Sequence, residues 1–275
     1  MTPTEIKDRL SAVGMERDAD VNIAEAALLL GAATRPGVPL DPYRRHLEKI
    51  AREVATLAGD DPALDLQAQS LADVIAKRYG YIGAEDAFED LESANLTRVI
   101  DRRTGLPVAI GIVYLKGAAD LGWDMVGIDF PARFLLRLEH AGGRAIVDPF
   151  DAGRIVTPVE LRDLFKAVAG QHAELKPGYF RAMTKREVLL RLENNVKIRL
   201  LRQDRLEDAL RHVETMLLFA PEVALLWREA GLINARLDNV KAAVAALEEF
   251  MRRDGDDTNA YRTSVLLQEL RARLN

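Results

Sequence analysis

The stretch of sequence that decides the fold, residues 101–123, reads DRRTGLPVAIGIVYLKGAADLGW. Its segment 108–121 is apolar almost all round, which is typical of a buried helix. Pro107 suits the first turn of such a helix. Gly111 and Gly117 each cost about 1 kcal/mol of helix propensity relative to alanine. Because something should offset that cost, the sequence predicts that the backbone of another part of the chain approaches this helix closely.

Three short strands are predicted after the helix, over residues 124–130, 133–138 and 143–147. The last two are separated by the turn His140-Ala141-Gly142-Gly143, which favours a hairpin. A buried helix on a small antiparallel sheet, surrounded by other helices, makes a mostly helical α+β fold.

The N-terminal third predicts four helices and no strands. Thr2 and Glu5 have the spacing of a capping box, which Asn22 and Glu25 repeat. Two further helix starts are predicted from pairs in which an aspartate is the N-cap and a proline opens the helix, Asp41-Pro42 and Asp61-Pro62.

The segment between Gly80 and Leu96 lacks a helical period and is rich in acids, and it is followed by Arg98, Arg102 and Arg103. One interpretation is a solvated loop whose acids face these arginines, which is usual for runs of charge. The other is a wall beside a pocket, because long loops in compact domains are often functional. The first interpretation is favoured.

The C-terminal third is predicted to be helical and to contain a repeat. At a spacing of 34 residues Ala209 recurs as Ala243 and Val213 as Leu247, and Met216 recurs as Phe250. This spacing is typical of tetratricopeptide repeats. The second copy has the large and small residues of that pattern at Trp227, Ala230, Gly231 and Asn234. The first copy is degenerate, with Glu193 in place of Trp227 and Lys197 in place of Gly231.

Two domains are therefore predicted, a core domain over residues 1–182 and a repeat domain over residues 183–275. Residues 259–274 are expected to cap the repeats. Two repeats and a cap are fewer than a solenoid usually needs to be stable alone. We therefore expect the repeat domain to pack on the core domain.

Composition excludes several classes of function. The chain has no cysteine, which removes disulfides, thiolate metal sites and cysteine nucleophiles. A net charge of −5 argues against a nucleic-acid partner. The opening MTPTEIKDRL is charged and precedes no apolar run, so no signal peptide is predicted, and no apolar stretch reaches membrane-spanning length. We expect a cytoplasmic protein that binds no membrane and needs no metal or cofactor.

Much of the chain, from about Leu40 to the end, resembles the SirB family of bacterial proteins. The resemblance rests on the run from Asn95 to Glu139 and on GRAIVDPFDAGR after it. Its most specific motifs are R-R-T-G-L-P at 102–107, I-V-D-P-F at 146–150 and N-N-x-K at 194–197. It implies a transglutaminase-core-like, papain-like domain followed by a tetratricopeptide-like tail.

The resemblance also implies a catalytic geometry. Such folds use a cysteine at the N-terminus of the buried helix, a histidine on the next strand as base and an aspartate on the strand after it. The positions that match these three are Pro107, Val108 and Ala109 at the helix tip, then Arg133, then Asp148. Only the aspartate is retained, because the tip has no nucleophile and an arginine cannot take a proton at neutral pH.

None of the four histidines is expected to replace the missing base. His46, His140, His172 and His212 are isolated in the sequence, without metal-ligand spacing or a serine partner. A surface or core position is favoured for each of them over a catalytic role.

An arginine facing Asp148 predicts a charge-assisted pair between two strands, or a cationic site for a carboxylate or phosphate. The structural pair is favoured. The residues expected to bind a ligand at this cleft are Arg102, Arg103, Arg133 and Asp148.

Three hypotheses for function stay open. The favoured one is a non-catalytic scaffold that binds a protein or peptide through tail residues that include Asn194, Asn195, Arg199 and Arg228. The alternative is a hydrolase or transferase of unusual design, in which Asp148 works with acids of segment 85–92 and with nearby arginines. The third is a sensor that holds an anion in the cleft.

Overall fold

In the computed structural model, residues 1–131, 133–253 and 257–274 are described. The fold is mostly helical, as predicted. Helices α1 to α12 span, in chain order, Pro3–Met15, Ile23–Ala33, Asp41–Ala58, Leu64–Ala72, Leu96–Arg102, Pro107–Asp120, Pro158–Ala169, Lys185–Arg202, Leu206–Phe219, Ala224–Arg236, Val240–Arg253 and Asp257–Ala272.

A small antiparallel sheet forms the other half of the α+β core. Strands β1 to β6 span Ile82–Gly83, Thr104–Gly105, Asp124–Phe130, Arg133–His140, Gly143–Asp148 and Arg154–Ile155. The sheet has the order β3-β4-β5-β6, while β1 and β2 form a separate parallel pair. The predicted hairpin of β4 and β5 is confirmed, and its pairing extends to His140 opposite Gly143.

The prediction that the N-terminal third contains no strand is wrong. Strand β1 pairs with β2, through Ile82 opposite Thr104 and Gly83 opposite Gly105. A strand of two residues has no alternation that could be read from sequence.

Helix α6 is the predicted buried helix and lies against the sheet. Its residues from Pro107 to Leu115 are all buried. A Cβ on Gly111 would lie 2.5 Å from Cε1 of Phe134 on β4, so only glycine admits that ring. The predicted close approach of another backbone is therefore wrong, because side chains fill the space at both glycines: Phe134 at Gly111, and Leu71 and Ile75 at Gly117.

The opposite face of the sheet packs on α7. Side chains alternate along a strand, so Phe134 faces α6 while its neighbour Leu135 joins the cluster on the other side. That cluster consists of Ile128, Phe130, Leu135, Ile146, Val156, Leu161 and Phe165.

The predicted helix starts are partly confirmed. Thr2 and Glu5 exchange the two hydrogen bonds of a capping box, and Asn22 is the N-cap of α2, where its side chain accepts from the backbone N–H of Glu25. Two further capping boxes are present at Thr157/Glu160 and Thr184/Glu187. The prediction at Asp41 is wrong by one residue, because Leu40 is the N-cap of α3. Asp61 is not an N-cap, since its backbone has a φ of 46° and α4 begins three residues later.

The acidic segment after Gly80 contains two short 3₁₀ helices, Glu85–Phe88 and Leu91–Ala94. Two of its acids pair with the arginines that follow, Asp90 with Arg102 at 2.6 Å and Glu92 with Arg98 at 2.5 Å. These two pairs agree with the favoured interpretation of a loop whose acids face nearby arginines.

The chain forms two compact units. The core unit consists of residues 1–6 and 17–192, and the repeat unit consists of residues 7–16 and 193–275. The predicted domain boundary at 182/183 and the packing of one domain on the other stay predictions.

Within the repeat unit, α10 packs against both α9 and α11, and α11 packs against α12. A Cβ on Gly231 would lie 2.5 Å from Cδ2 of Leu247, which explains the small residue at that position. The residues that define the 34-residue period are completely buried, namely Ala209, Val213, Met216, Ala243, Leu247 and Phe250. The predicted tetratricopeptide-like region is confirmed.

Candidate functional site

The N-terminal tip of α6, where the resemblance implies a cysteine, is buried. Pro107 is the first helical residue, after the N-cap Leu106. Val108 and Ala109 are almost completely buried, at 1% and 0% exposed. The backbone N–H of Leu106 donates to the carbonyl oxygen of Ser93 at 2.9 Å, which ties the acidic segment to the tip. The position that a nucleophile would need to reach a substrate is therefore filled by protein.

The predicted pair of Arg133 and Asp148 is confirmed. Arg133 Nη1 donates to Asp148 Oδ2 at 2.6 Å. The side chain of Asp148 is 1% exposed and that of Arg133 is 35% exposed. Asp148 Oδ1 also accepts hydrogen bonds from the backbone N–H groups of Phe150 and Asp151, at 3.0 and 3.3 Å. One guanidinium and two backbone amides thus bind this carboxylate.

Tyr114 of α6 fills the space beside this pair. Burial raises the pKa of the Tyr114 hydroxyl, and the charge of Asp148 adds to the effect. A Cβ on Gly153 would clash with this hydroxyl, and Gly153 has a φ of 74°. Both the space and the backbone conformation therefore require glycine at that position.

The geometry around Asp148 disfavours the hydrolase or transferase hypothesis. That hypothesis needs Asp148 to be exposed in a cleft beside a second carboxylate, whereas Asp148 is buried against Arg133. Asp90 and Glu92 of the acidic segment are committed to arginines. Each of these three carboxylates therefore already binds an arginine.

The arginines predicted to share a ligand have different partners. Arg102 binds Asp90, Arg133 binds Asp148, and Arg103 binds a third set of residues. Their role in holding a common anion stays a prediction.

That third set is a cluster that sequence reasoning missed, formed by His46, Tyr81 and Arg103. Arg103 Nη1 lies 2.7 Å from His46 Nε2 and also donates to the Tyr81 hydroxyl. Tyr81 Oη lies 3.0 Å from the same His46 nitrogen. Because a guanidinium can only donate, Nε2 accepts and the neutral ring carries its proton on Nδ1. Arg103 reaches this position from a left-handed backbone, with a φ of 65° at the end of α5.

The cluster keeps His46 neutral. Burial is the main cause that lowers the pKa of His46 to about 4, and the positive charges of Arg103 and Lys49 contribute to the same shift. Burial also raises the pKa of Tyr81. Nothing in the sequence marks this cluster, because its members are 22 to 57 residues apart.

In the repeat unit, a groove of about 510 Å³ lies between helices α8, α10 and α12. It is lined by Leu201, Glu229, Leu232, Ile233, Ala235, Arg236 and Leu266. The four predicted partner-binding residues, Asn194, Asn195, Arg199 and Arg228, are not in this lining. Arg228 donates a hydrogen bond to the Thr263 hydroxyl at 3.1 Å. Asn195 and Arg199 also have partners within the protein. A partner-binding role for these four residues stays a prediction.

The two positions where the repeat pattern is broken hold buried charged residues, Glu193 and Lys197, each with a polar partner. Lys197 Nζ binds Glu229 Oε2 at 2.5 Å, and the Lys197 side chain is 6% exposed. Glu193 Oε2 lies 2.7 Å from His212 Nδ1. Trp227 is half-buried, and its Nε1 donates to the carbonyl oxygen of Pro221 at 2.8 Å.

Comparison with known proteins agrees with both units. The sequence model of the transglutaminase-like superfamily matches residues 41–194, which is more than half of the chain. The chain belongs to this superfamily. A tetratricopeptide-repeat model matches residues 196–268, which cover the predicted repeat.

Similar members of the superfamily come from bacteria. A UPF0162 protein of Vibrio cholerae is 27% identical over 87% of this chain and 89% of that protein. A UPF0162 protein of Pseudomonas aeruginosa is 30% identical over 63% of each. Protein SirB1 of Salmonella typhimurium is 26% identical over 79% of each. The predicted resemblance to the SirB family is confirmed.

Membership of the superfamily does not by itself assign a reaction. Within the described part of the chain, no helix is long and apolar enough to cross a membrane. The same residues contain no group of three or more His, Asp or Glu side chains that could hold a metal ion. The predicted cytoplasmic location and the absence of a cofactor stay predictions.

The neutral state of His46 predicts a pH dependence of stability. The pKa of about 4 lies below the ordinary 6.5, so the unfolded chain binds more protons between these values than the folded one. The stability that neutral His46 contributes is therefore complete above pH 6.5 and is lost as the pH falls towards 4. We expect His46→Gln to remove this part of the acid destabilisation, as measured by urea unfolding from pH 7 to pH 4.

The matched control is His172→Gln, because His172 is exposed. Its stability should fall with pH in parallel with that of the unmodified protein. If the His46→Gln curve is also parallel, His46 is not held neutral by this cluster.

Proposed function

We propose that this chain is a non-catalytic member of the transglutaminase-like superfamily that acts as an interaction or regulatory scaffold through its repeat unit. The observation that carries the proposal is the ion pair of Arg133 and Asp148. An arginine stands at the position of the base, and it neutralises the aspartate that would orient a base. No proton transfer from a nucleophile is available in this arrangement.

The helix tip supports the same conclusion. An acyl-transfer enzyme needs its nucleophile exposed to substrate and close to donors that stabilise an oxyanion. Here Val108 and Ala109 are buried and have no nucleophilic atom. The core unit therefore keeps the packing of the superfamily without an accessible reaction centre.

The groove of the repeat unit is the surface that we propose for a protein or peptide partner. Its wall is mostly apolar, with Leu232 and Leu266 among the lining residues. The charged residues of its lining are paired, Glu229 with Lys197 and Arg236 with Asp204. Apolar helix grooves of this kind take up partner side chains spaced along one face of a peptide.

Affinity capture from native lysate, with the full chain as bait, tests this proposal. We expect Leu232→Glu to abolish capture of a stoichiometric partner, because it places a charge on the apolar wall. Val265→Glu is the matched control, since Val265 is exposed on α12 and does not line the groove. The control should capture the partner as well as the unmodified chain does.

Equal capture by all three baits would place the partner elsewhere and contradict the groove. No partner with any bait, together with acyl transfer by the purified chain, would contradict the scaffold proposal as a whole.

A further inference from the structure

The core unit contains a second cavity that the proposed function does not use. It lies between β5, α7 and the segment that follows α7, on the face of the sheet opposite α6. Its volume is about 580 Å³, which is within the usual range for sites that bind small molecules. We call it the α7 pocket. Its lining residues are Arg144, Ile146, Pro158, Leu161, Arg162, Lys166, Ala173, Glu174, Leu175 and Phe180.

The floor of the α7 pocket is apolar and firmly supported. Ile146 and Leu161 belong to the buried cluster under α7, and Leu175 and Phe180 pack against that cluster. Arg137 of β4 donates to the carbonyl oxygen of Phe180 at 2.6 Å, which holds this wall in place. An apolar floor on rigid elements offers a site for an apolar ligand body.

Two cations on one side of the pocket are uncompensated. Arg162 and Lys166 are four residues apart on α7, so they lie on the same face of the helix. Among the described residues, neither side chain has an ion-pair or hydrogen-bond partner. Like charges at this spacing destabilise a helix slightly. An anion at the pocket mouth would relieve that repulsion.

The remaining charges limit how much negative charge the pocket accepts. Arg144 is already paired with Glu139 at 2.9 Å. Glu174 adds a carboxylate to the lining. The local balance therefore suits a single negative charge better than a double one.

We propose that the α7 pocket binds a small-molecule monocarboxylate with an unbranched apolar tail. The tail lies on the floor formed by Ile146, Leu161 and Phe180, and the carboxylate binds Arg162 and Lys166. The planar guanidinium of Arg162 matches a carboxylate with two parallel N–H donors.

Titration calorimetry of the full chain with octanoate tests the proposal. We expect saturable binding of octanoate with one molecule per chain. Octan-1-ol has the tail without the charge, and acetate has the charge without the tail, so each should bind at least about tenfold more weakly. Equal binding of octanol, or no binding of octanoate, would overturn the proposal.

Two sets of variants locate the site. Arg162→Gln/Lys166→Gln should weaken octanoate binding at least about tenfold, and Ala173→Trp should abolish it by filling the pocket. The matched control is Arg45→Gln/Arg52→Gln, which removes two exposed cations of α3. If the control weakens binding as much as the first variant does, the effect is one of overall charge and the pocket is not the site.

Discussion

Replacing Arg133 with alanine should destabilise the protein by about 3 kcal/mol. Breaking a buried ion pair by removing one partner typically costs about 3–5 kcal/mol, because the other charge is left without compensation. The lower end applies here, since Arg133 is 35% exposed and Asp148 keeps two backbone hydrogen bonds. Urea unfolding of the full chain measures the effect. Folding stability should change far more than any activity of the protein.

The control for this prediction is Arg144→Ala on the neighbouring strand. Arg144 also pairs with a carboxylate, Glu139, but its side chain is 57% exposed. Exposed pairs of this kind contribute about 1 kcal/mol or less. A double variant, Arg133→Met with Asp148→Asn, should regain part of the lost stability because no buried charge remains. If Arg133→Ala is as stable as Arg144→Ala, the pair does not hold the two strands together.

The centre of the core unit could be predicted from sequence because its signals are local. The apolar run of α6 marks a buried helix, and the turn between β4 and β5 fixes the hairpin that brings Arg133 near Asp148. The resemblance to a known family supplied the roles of these positions. Hairpin register and helix burial are both readable from a short window of sequence.

The cluster of His46, Tyr81 and Arg103 could not be predicted, because its signals are not local. Its residues come from α3, from the segment before β1 and from the end of α5. Arg103 points into the cluster because its backbone is left-handed, a conformation that is uncommon for arginine. Sequence alone contains no sign of that backbone conformation.

The degenerate repeat could be predicted from sequence only in part. Glu193 and Lys197 were visible as charged residues at positions where the pattern expects large or small apolar ones. Their partners, His212 and Glu229, lie 19 and 32 residues further along the chain and became evident only in the folded unit. Positions that break a local rule are often where a fold carries an additional constraint.

The central claim is that the nucleophile position of the superfamily is closed in this protein. A single cysteine tests it directly, because the chain has none of its own. Val108→Cys places a thiol at the second residue of α6, after Pro107. Val159→Cys is a matched control at the second residue of α7, after Pro158. Both thiols therefore meet the same helix dipole, while the replaced valines are 1% and 61% exposed, respectively.

The measurement that tests the central claim most directly is the rate at which iodoacetamide alkylates these two thiols in the folded full chain. We expect the thiol at 108 to react at least about 100-fold more slowly, because it is reached only when the structure opens locally at a cost of about 3 kcal/mol or more. Both thiols should react alike in urea. A thiol at 108 that reacts in the folded protein as fast as the one at 159 would contradict the claim and point to an open cleft.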